Sequence, residues 1–211
     1  MKFFSVLIFL AVSFCSFATD ITLKANGELT FFGHSSIHDF KGQVSTQPFK
    51  IFLMKSKNGH TTVNTEIKIN VKNMTTGNGN RDRKMYNMFN AKSFPVIQGV
   101  IKNMNSSLLK RSNPATDALS GVVPMELTIS DITNKVPVTI TDCIPHAEGE
   151  YQFKISFSLS LKDFNLHPKR GFFGLIRVYD NVEVEGKVTA ILDGPSKIKL
   201  LKEKIKEQLE Y

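Results

Sequence analysis

Between residues 151 and 161 every second side chain is apolar. Tyr151, Phe153, Ile155, Phe157, Leu159 and Leu161 alternate with Gln152, Lys154, Ser156, Ser158 and Ser160. In an extended chain successive side chains point to opposite faces, so this stretch has one dry face and one wet face. A helix would scatter the same residues around its circumference. Residues 61–71 repeat the pattern, with Val63, Thr65, Ile67, Ile69 and Val71 opposed to Asn64, Glu66, Lys68 and Asn70. Strands buried on one face only are the mark of antiparallel sheet.

The alternation recurs along most of the chain. Residues 21–32 read as two short strands around an Asn26-Gly27 hairpin turn. Residues 44–54 read as strand interrupted at Pro48, and Lys57-Asn58-Gly59 as a turn. Residues 96–101, 121–129 and 136–140 read as strands, and Pro124 argues for an edge, a bulge or a later start. Residues 105–118 are polar and read as a long hairpin loop, and Asp163 to Leu166 continues the strand before it. Residues 175–179 and 182–192 are the last two strands, separated by Asp180-Asn181. About eight strands result. They can close into a barrel, which removes sheet edges, or stack as a sandwich; alternation alone does not separate the two.

One stretch breaks the rule. In residues 78–95 the sequence NGNRDRKMYNMFNAKSFP carries Met85, Met88 and Phe89 at offsets of three and four, the spacing of one helix face. Asn80 is the expected N-cap, Asp82 suits the positive end of the helix dipole, and Pro95 is the expected stop. Arg81 and Asp82 read as a pair that fixes the helix start.

The ends differ from the body. Lys2, the apolar run of residues 3–17 and Ser16-Phe17-Ala18 read as a secretory signal peptide cut after Ala18, too short for a bilayer span. The expected organisation is signal peptide 1–18, β domain 19–193 and C-terminal tail helix 194–211. In that tail Ile198, Leu201, Ile205 and Leu209 recur at three and four. The expected location is periplasmic or secreted. With the signal removed, Cys143 is the one cysteine left, so no internal disulfide forms. It reads as a small buried residue at a strand end.

The net charge of +8 comes from scattered lysines without a basic stripe, so nucleic acid is not an expected partner. Transient membrane-surface contact through the tail and a homodimer stay open. His34 and His38 lack a third ligand at metal spacing, and Ser36, His38 and Asp39 lack a framing nucleophile elbow. No enzyme activity, catalytic residue, metal or cofactor is expected. What the chain holds in surplus is 17 Phe with no Trp, plus the methionines of the inserted helix. The interior of an eight-strand barrel can hold one small ligand, and an apolar lining suits an apolar guest.

At this point a family resemblance appears. Ser36-Ile37-His38-Asp39-Phe40-Lys41-Gly42, Asn80-Arg81-Asp82 with Met85 and Phe89, Ser93-Phe94-Pro95, Leu127-Thr128-Ile129, Asn134-Lys135-Val136 and Asp163-Phe164-Asn165-Leu166 resemble, in order, the motifs of the YceI-like, lipocalin-like polyisoprenoid-binding family. Asn165 stands where the family has Gly. The resemblance implies an all-β, antiparallel lipocalin-like barrel with a short inserted helix, whose interior holds an isoprenoid quinone or polyprenyl lipid. The expected function is an exported lipid-binding carrier or sequestering protein. The alternative is a structural or stress-related interaction protein with a filled core. Strand parity and the helix face select Phe31, Val63, Ile67, Ile69, Met85, Met88, Phe89, Phe153, Ile155 and Phe157 as the ligand lining.

Overall fold

The computed structural model describes residues 20–55, 60–147, 149–168 and 177–196. The signal segment, the 57–59 turn, the strand start expected at 175 and the tail from 197 onward lie outside the described residues.

The strands are β1 (Ile21–Ser35), β2 (Phe40–Ser45), β3 (Phe49–Lys55), β4 (Thr61–Asn70), β5 (Val96–Asn105), β6 (Lys110–Asn113), β7 (Ala118–Ile129), β8 (Ile132–Ala147), β9 (Glu150–Ser160) and β10 (Val178–Leu192). Their order is β10-β9-β8-β7-β5-β4-β3-β1, and β10 pairs back onto β1. Eight antiparallel strands therefore close a lipocalin-like barrel. β2 adds to β1, and β6 adds to β7. Closure decides against the sandwich and leaves no open edge among the eight.

Several local expectations are corrected. Asn26-Gly27 is not a hairpin turn but the middle of the 15-residue β1. Before it, residues 21–25 of β1 pair β3; after it, residues 28–33 pair β2. The dipeptide marks a change of partner, and the Gly27 N–H donates to Thr46 Oγ1 at 2.8 Å. The polar stretch 105–118 is not all loop: it holds a 3-10 turn Ser106–Leu108 and β6, which pairs β7. Pro124 lies inside β7, opposite Pro137. β5 contacts β7 only over residues 126–128, so Pro124 has no donor missing from that ladder. Residues 163–166 do not prolong β9. A 3-10 turn Leu161–Phe164 ends at Asn165 with φ 53°, and Asn is the residue after Gly that best tolerates this left-handed geometry. Asp180-Asn181 likewise sits within the continuous β10.

The inserted helix, α1, is Gly79–Met88, and its N-cap is Asn78 rather than Asn80. The Asn78 side chain accepts from the N–H groups of Asn80 and Arg81. The helix also stops before Pro95. Asn90 takes φ 47°, the Ala91 N–H donates to Tyr86 O, and the Asn90 N–H donates to Asn87 O. That pair of bonds is a Schellman ending built on Asn.

Candidate functional site

The inward face of the barrel is the odd-numbered parity on β1, β4, β7 and β9 and the even-numbered parity on β10. At one end Leu23, Ala25, Phe49, Leu53, Tyr151, Val188 and Ala190 pack into a closed cluster. At the other end the walls stay apart, and α1, inserted between β4 and β5, lies across the opening. A cavity of about 210 Å³ remains beneath it. Its walls include Leu29, Phe31 and Gly33 of β1, Phe40 and Val44 of β2, Ile69 of β4, Ile97 of β5, Leu127 and Ile129 of β7, Phe157 and Leu159 of β9, and Val182 and Val184 of β10. Arg81, Lys84, Met85, Met88 and Phe89 line it from the helix side.

The cavity exists because large side chains lie along the wall instead of across the axis. Phe31 pairs Gly42 across β1 and β2, and Phe40 pairs Gly33. A Cβ placed on Gly42 would lie 2.1 Å from the Phe31 ring, and one on Gly33 would lie 2.5 Å from the Phe40 ring. Each ring thus occupies the space a side chain would fill, an aromatic laid over a glycine.

The helix is fixed by polar bonds around its first turn. Asp82 is buried and accepts from the Thr76 N–H (2.8 Å), the Thr76 hydroxyl (2.6 Å) and the Thr75 hydroxyl (2.9 Å). Burial works against its charge. The Thr76 and Thr75 hydrogen bonds and the charge of Arg81 outweigh it and hold the carboxyl below its usual value. Thr75 exchanges backbone bonds with Gln43 on β2, and the Tyr86 hydroxyl donates to Met74 O at 2.6 Å. The Arg81 guanidinium lies 4.9 Å from the centre of the Phe40 ring, a cation–π contact at the cavity edge.

Of the ten residues selected from sequence, the structure brings Phe31, Ile69, Met85, Met88, Phe89 and Phe157 together around the cavity. Val63, Ile67, Phe153 and Ile155 also face inward, but they are not part of this lining and pack against the closed cluster. Sequence reasoning missed Leu29, Phe40, Val44, Leu127, Ile129, Leu159, Val182, Val184 and the two cations. A signal was available: an insertion between two strands marks one barrel end, so the inward residues nearest that end on every strand should have been chosen together.

The other candidates take structural parts. His34 Nδ1 lies 2.8 Å from Asp39 Oδ1, both exposed. The Ser36 hydroxyl accepts from the Arg177 N–H and makes no bond to His38. No group of three metal-binding side chains occurs among the described residues. Cys143 is buried within β8, and burial pushes its thiol up to about 11, which makes it a poor nucleophile.

A closed antiparallel barrel with an apolar cavity beneath an inserted helix defines a lipocalin-like barrel protein. Residues 22–190 match the YceI-like domain family, and the chain belongs to that family. No curated protein matches it. Among solved structures it is similar to a polyisoprenoid-binding domain from Saccharophagus degradans implicated in plant cell wall breakdown. That match has a TM-score of 0.64 at 10% identity, covering 82% of this chain and 99% of that one. It is also similar to BcnA of Burkholderia cenocepacia, with a TM-score of 0.53 at 14% identity, covering 77% and 95%. At these identities the likeness concerns the fold.

Proposed function

We propose that this chain is an exported binding protein that holds the tail of an isoprenoid or similar long-chain amphiphile inside its barrel, as a carrier or sequestering protein and not as an enzyme. The observation that carries this reading is the apolar cavity under α1. Three further points support it: the family, the polyisoprenoid-binding domain among the structural neighbours, and the signal-like pattern of residues 1–18. An interaction protein with a filled core would need no such cavity.

The size of the cavity sets the scale. At about 210 Å³ it has room for several methylene groups of a tail. Each methylene of the tail buried there contributes ~0.8 kcal/mol before association costs. A long isoprenoid would therefore bury its inner units and leave the remainder at the mouth.

The test is to express the full chain in a bacterium, purify it from the periplasmic fraction, extract it with organic solvent and identify lipids by mass spectrometry. An isoprenoid lipid in near-stoichiometric yield is expected. Repeated recovery of no lipid, together with no uptake of an added quinone, overturns the binding role. Retention of the uncut chain in the cytoplasm overturns export.

A further inference from the structure

The cavity is apolar in depth but not at its edge. Along α1 the residues that face it are Arg81, Lys84, Met85 and Met88, which succeed one another at helical spacing. The two cations occupy the N-terminal half of this stripe, and the methionines follow. Lys84 is exposed and Arg81 half-buried, whereas Met85 is buried. The stripe therefore runs from charged and wet to apolar and dry. Among the described residues no carboxylate lines the cavity, and neither Arg81 nor Lys84 has an ion-pair partner.

The carboxylates nearby in sequence are already engaged. Asp82 is close enough to feel the charge of Arg81, but its bonds go to Thr75 and Thr76. Asp39, beside Phe40, is bonded to His34. Asp180, beside Tyr179, accepts from the Ser160 hydroxyl and the Lys162 N–H. Arg81 instead lies over the Phe40 ring, which holds its guanidinium at the edge without neutralising it.

We propose that the occupant of this cavity is a single-tailed amphiphile with an anionic head, a phosphate or a carboxylate, and that Arg81 and Lys84 bind the head while the barrel takes the tail. This rests on the apolar-tail reading above and narrows it, because a neutral quinone or alcohol would leave both cations unused. The positive end of the α1 dipole lies on the same side as the two cations.

The experiment is displacement of an apolar fluorescent dye from the full-length chain by dodecanol, dodecanoic acid and dodecyl phosphate, which share one tail and differ in head. At low salt the acid and the phosphate bind on the order of tenfold tighter than the alcohol. That preference shrinks as salt rises. In the R81Q/K84Q variant the three affinities converge to within about twofold. The single variant K84Q, at an exposed position, gives a smaller loss of preference and stands in if the double variant does not fold. Equal binding of alcohol and acid by the native chain overturns the proposal, as does a preference that survives in both variants. Inorganic phosphate alone is expected to displace no dye; displacement as effective as that of dodecyl phosphate overturns the proposal in favour of a tail-independent anion site. Failure of all three tails to displace the dye overturns the underlying apolar-tail reading itself.

Discussion

The two ends of the barrel use the same inward parity and the same kinds of residue, yet one is closed and the other hollow. At the closed end Leu23 is 1% exposed and Ala190 is 1% exposed, and the small alanines on β1 and β10 let Phe49, Leu53 and Tyr151 meet across the axis. At the hollow end the inward residues are as apolar, and Phe157, Leu159 and Ile69 are half-buried where they face a cavity. The difference is where volume is placed. Phe31 and Phe40 lie flat over glycines on the wall, and α1 spans the mouth without filling it. Hydrophobicity makes the barrel; the placing of large and small side chains across the strands decides which end stores a ligand.

The sharpest way to break this contrast is to make the same deletion at both ends. Leu23→Ala should cost about 2–5 kcal/mol, as expected for a fully buried leucine. Leu159→Ala removes the same atoms from a cavity wall that already lacks neighbours on one side, and should cost less than half as much while weakening ligand binding. Urea denaturation of both variants, read beside dye binding, checks this. Equal destabilisation would mean that the hollow end is as tightly packed as the closed one.

The next effect concerns what holds the helix over the mouth. Asp82→Asn keeps the shape but loses the charge in three hydrogen bonds from Thr75 and Thr76, and should cost about 1.5–3 kcal/mol. Because the folded carboxyl is held below its ordinary value of 3.8, its contribution is fully present above that value. It is lost as pH falls through the lower folded value. Native stability should therefore drop on acidification below about pH 4, more steeply than that of the Asn variant. Parallel pH profiles for the two proteins would show Asp82 to be a bystander.

Gly42→Ala tests the wall itself. Its new Cβ must displace the Phe31 ring, and the open direction is the cavity. The expected cost is about 1–2 kcal/mol of stability, in the lower range for an over-packed core. The clearer readout is binding: tail affinity should fall severalfold as the ring takes up ligand space. Unchanged affinity would show that the glycine–aromatic pairs do not set the cavity's size.

How much of this was legible depended on which property the sequence encodes locally. Period two identified the inward face of β4 and β9 correctly, so Phe157 and Phe153 were both known to point inside. It carries no information on height along the barrel, and this is why Phe157 lines the cavity while Phe153 packs toward the closed end. The helix face Met85, Met88 and Phe89 was legible from its spacing, but its ends were not. Asn78 caps the helix with its side chain and Asn90 ends it in left-handed backbone geometry, roles that Asn80 and Pro95 imitate in sequence. The same limit explains Asn26-Gly27, which looks like a turn until the change of partner from β3 to β2 is known. Phe31 over Gly42 is a cross-strand register, and nothing local to either residue announces it.

The smallest expected effect is on the outer face of β4, and it isolates the inner one. Glu66 lies on the exposed side of β4, bonded to Lys68 Nζ at 2.7 Å and to Gln98 Nε2 at 2.7 Å. The Lys68 hydrogen bond, the Lys68 charge and the Gln98 bond hold its carboxyl below the usual value. Solvent screens such a pair, so Glu66→Gln should leave the urea midpoint unmoved within error. Its neighbour of opposite parity, Thr65, is buried and donates to Lys50 O. If binding is decided inside the barrel, Glu66→Gln should also leave dye and tail affinities unchanged at low and high salt. A salt-dependent change in tail affinity would mean that the outer charges of β4 reach the site. The preference for an anionic head would then have to be traced to the whole rim rather than to Arg81 and Lys84.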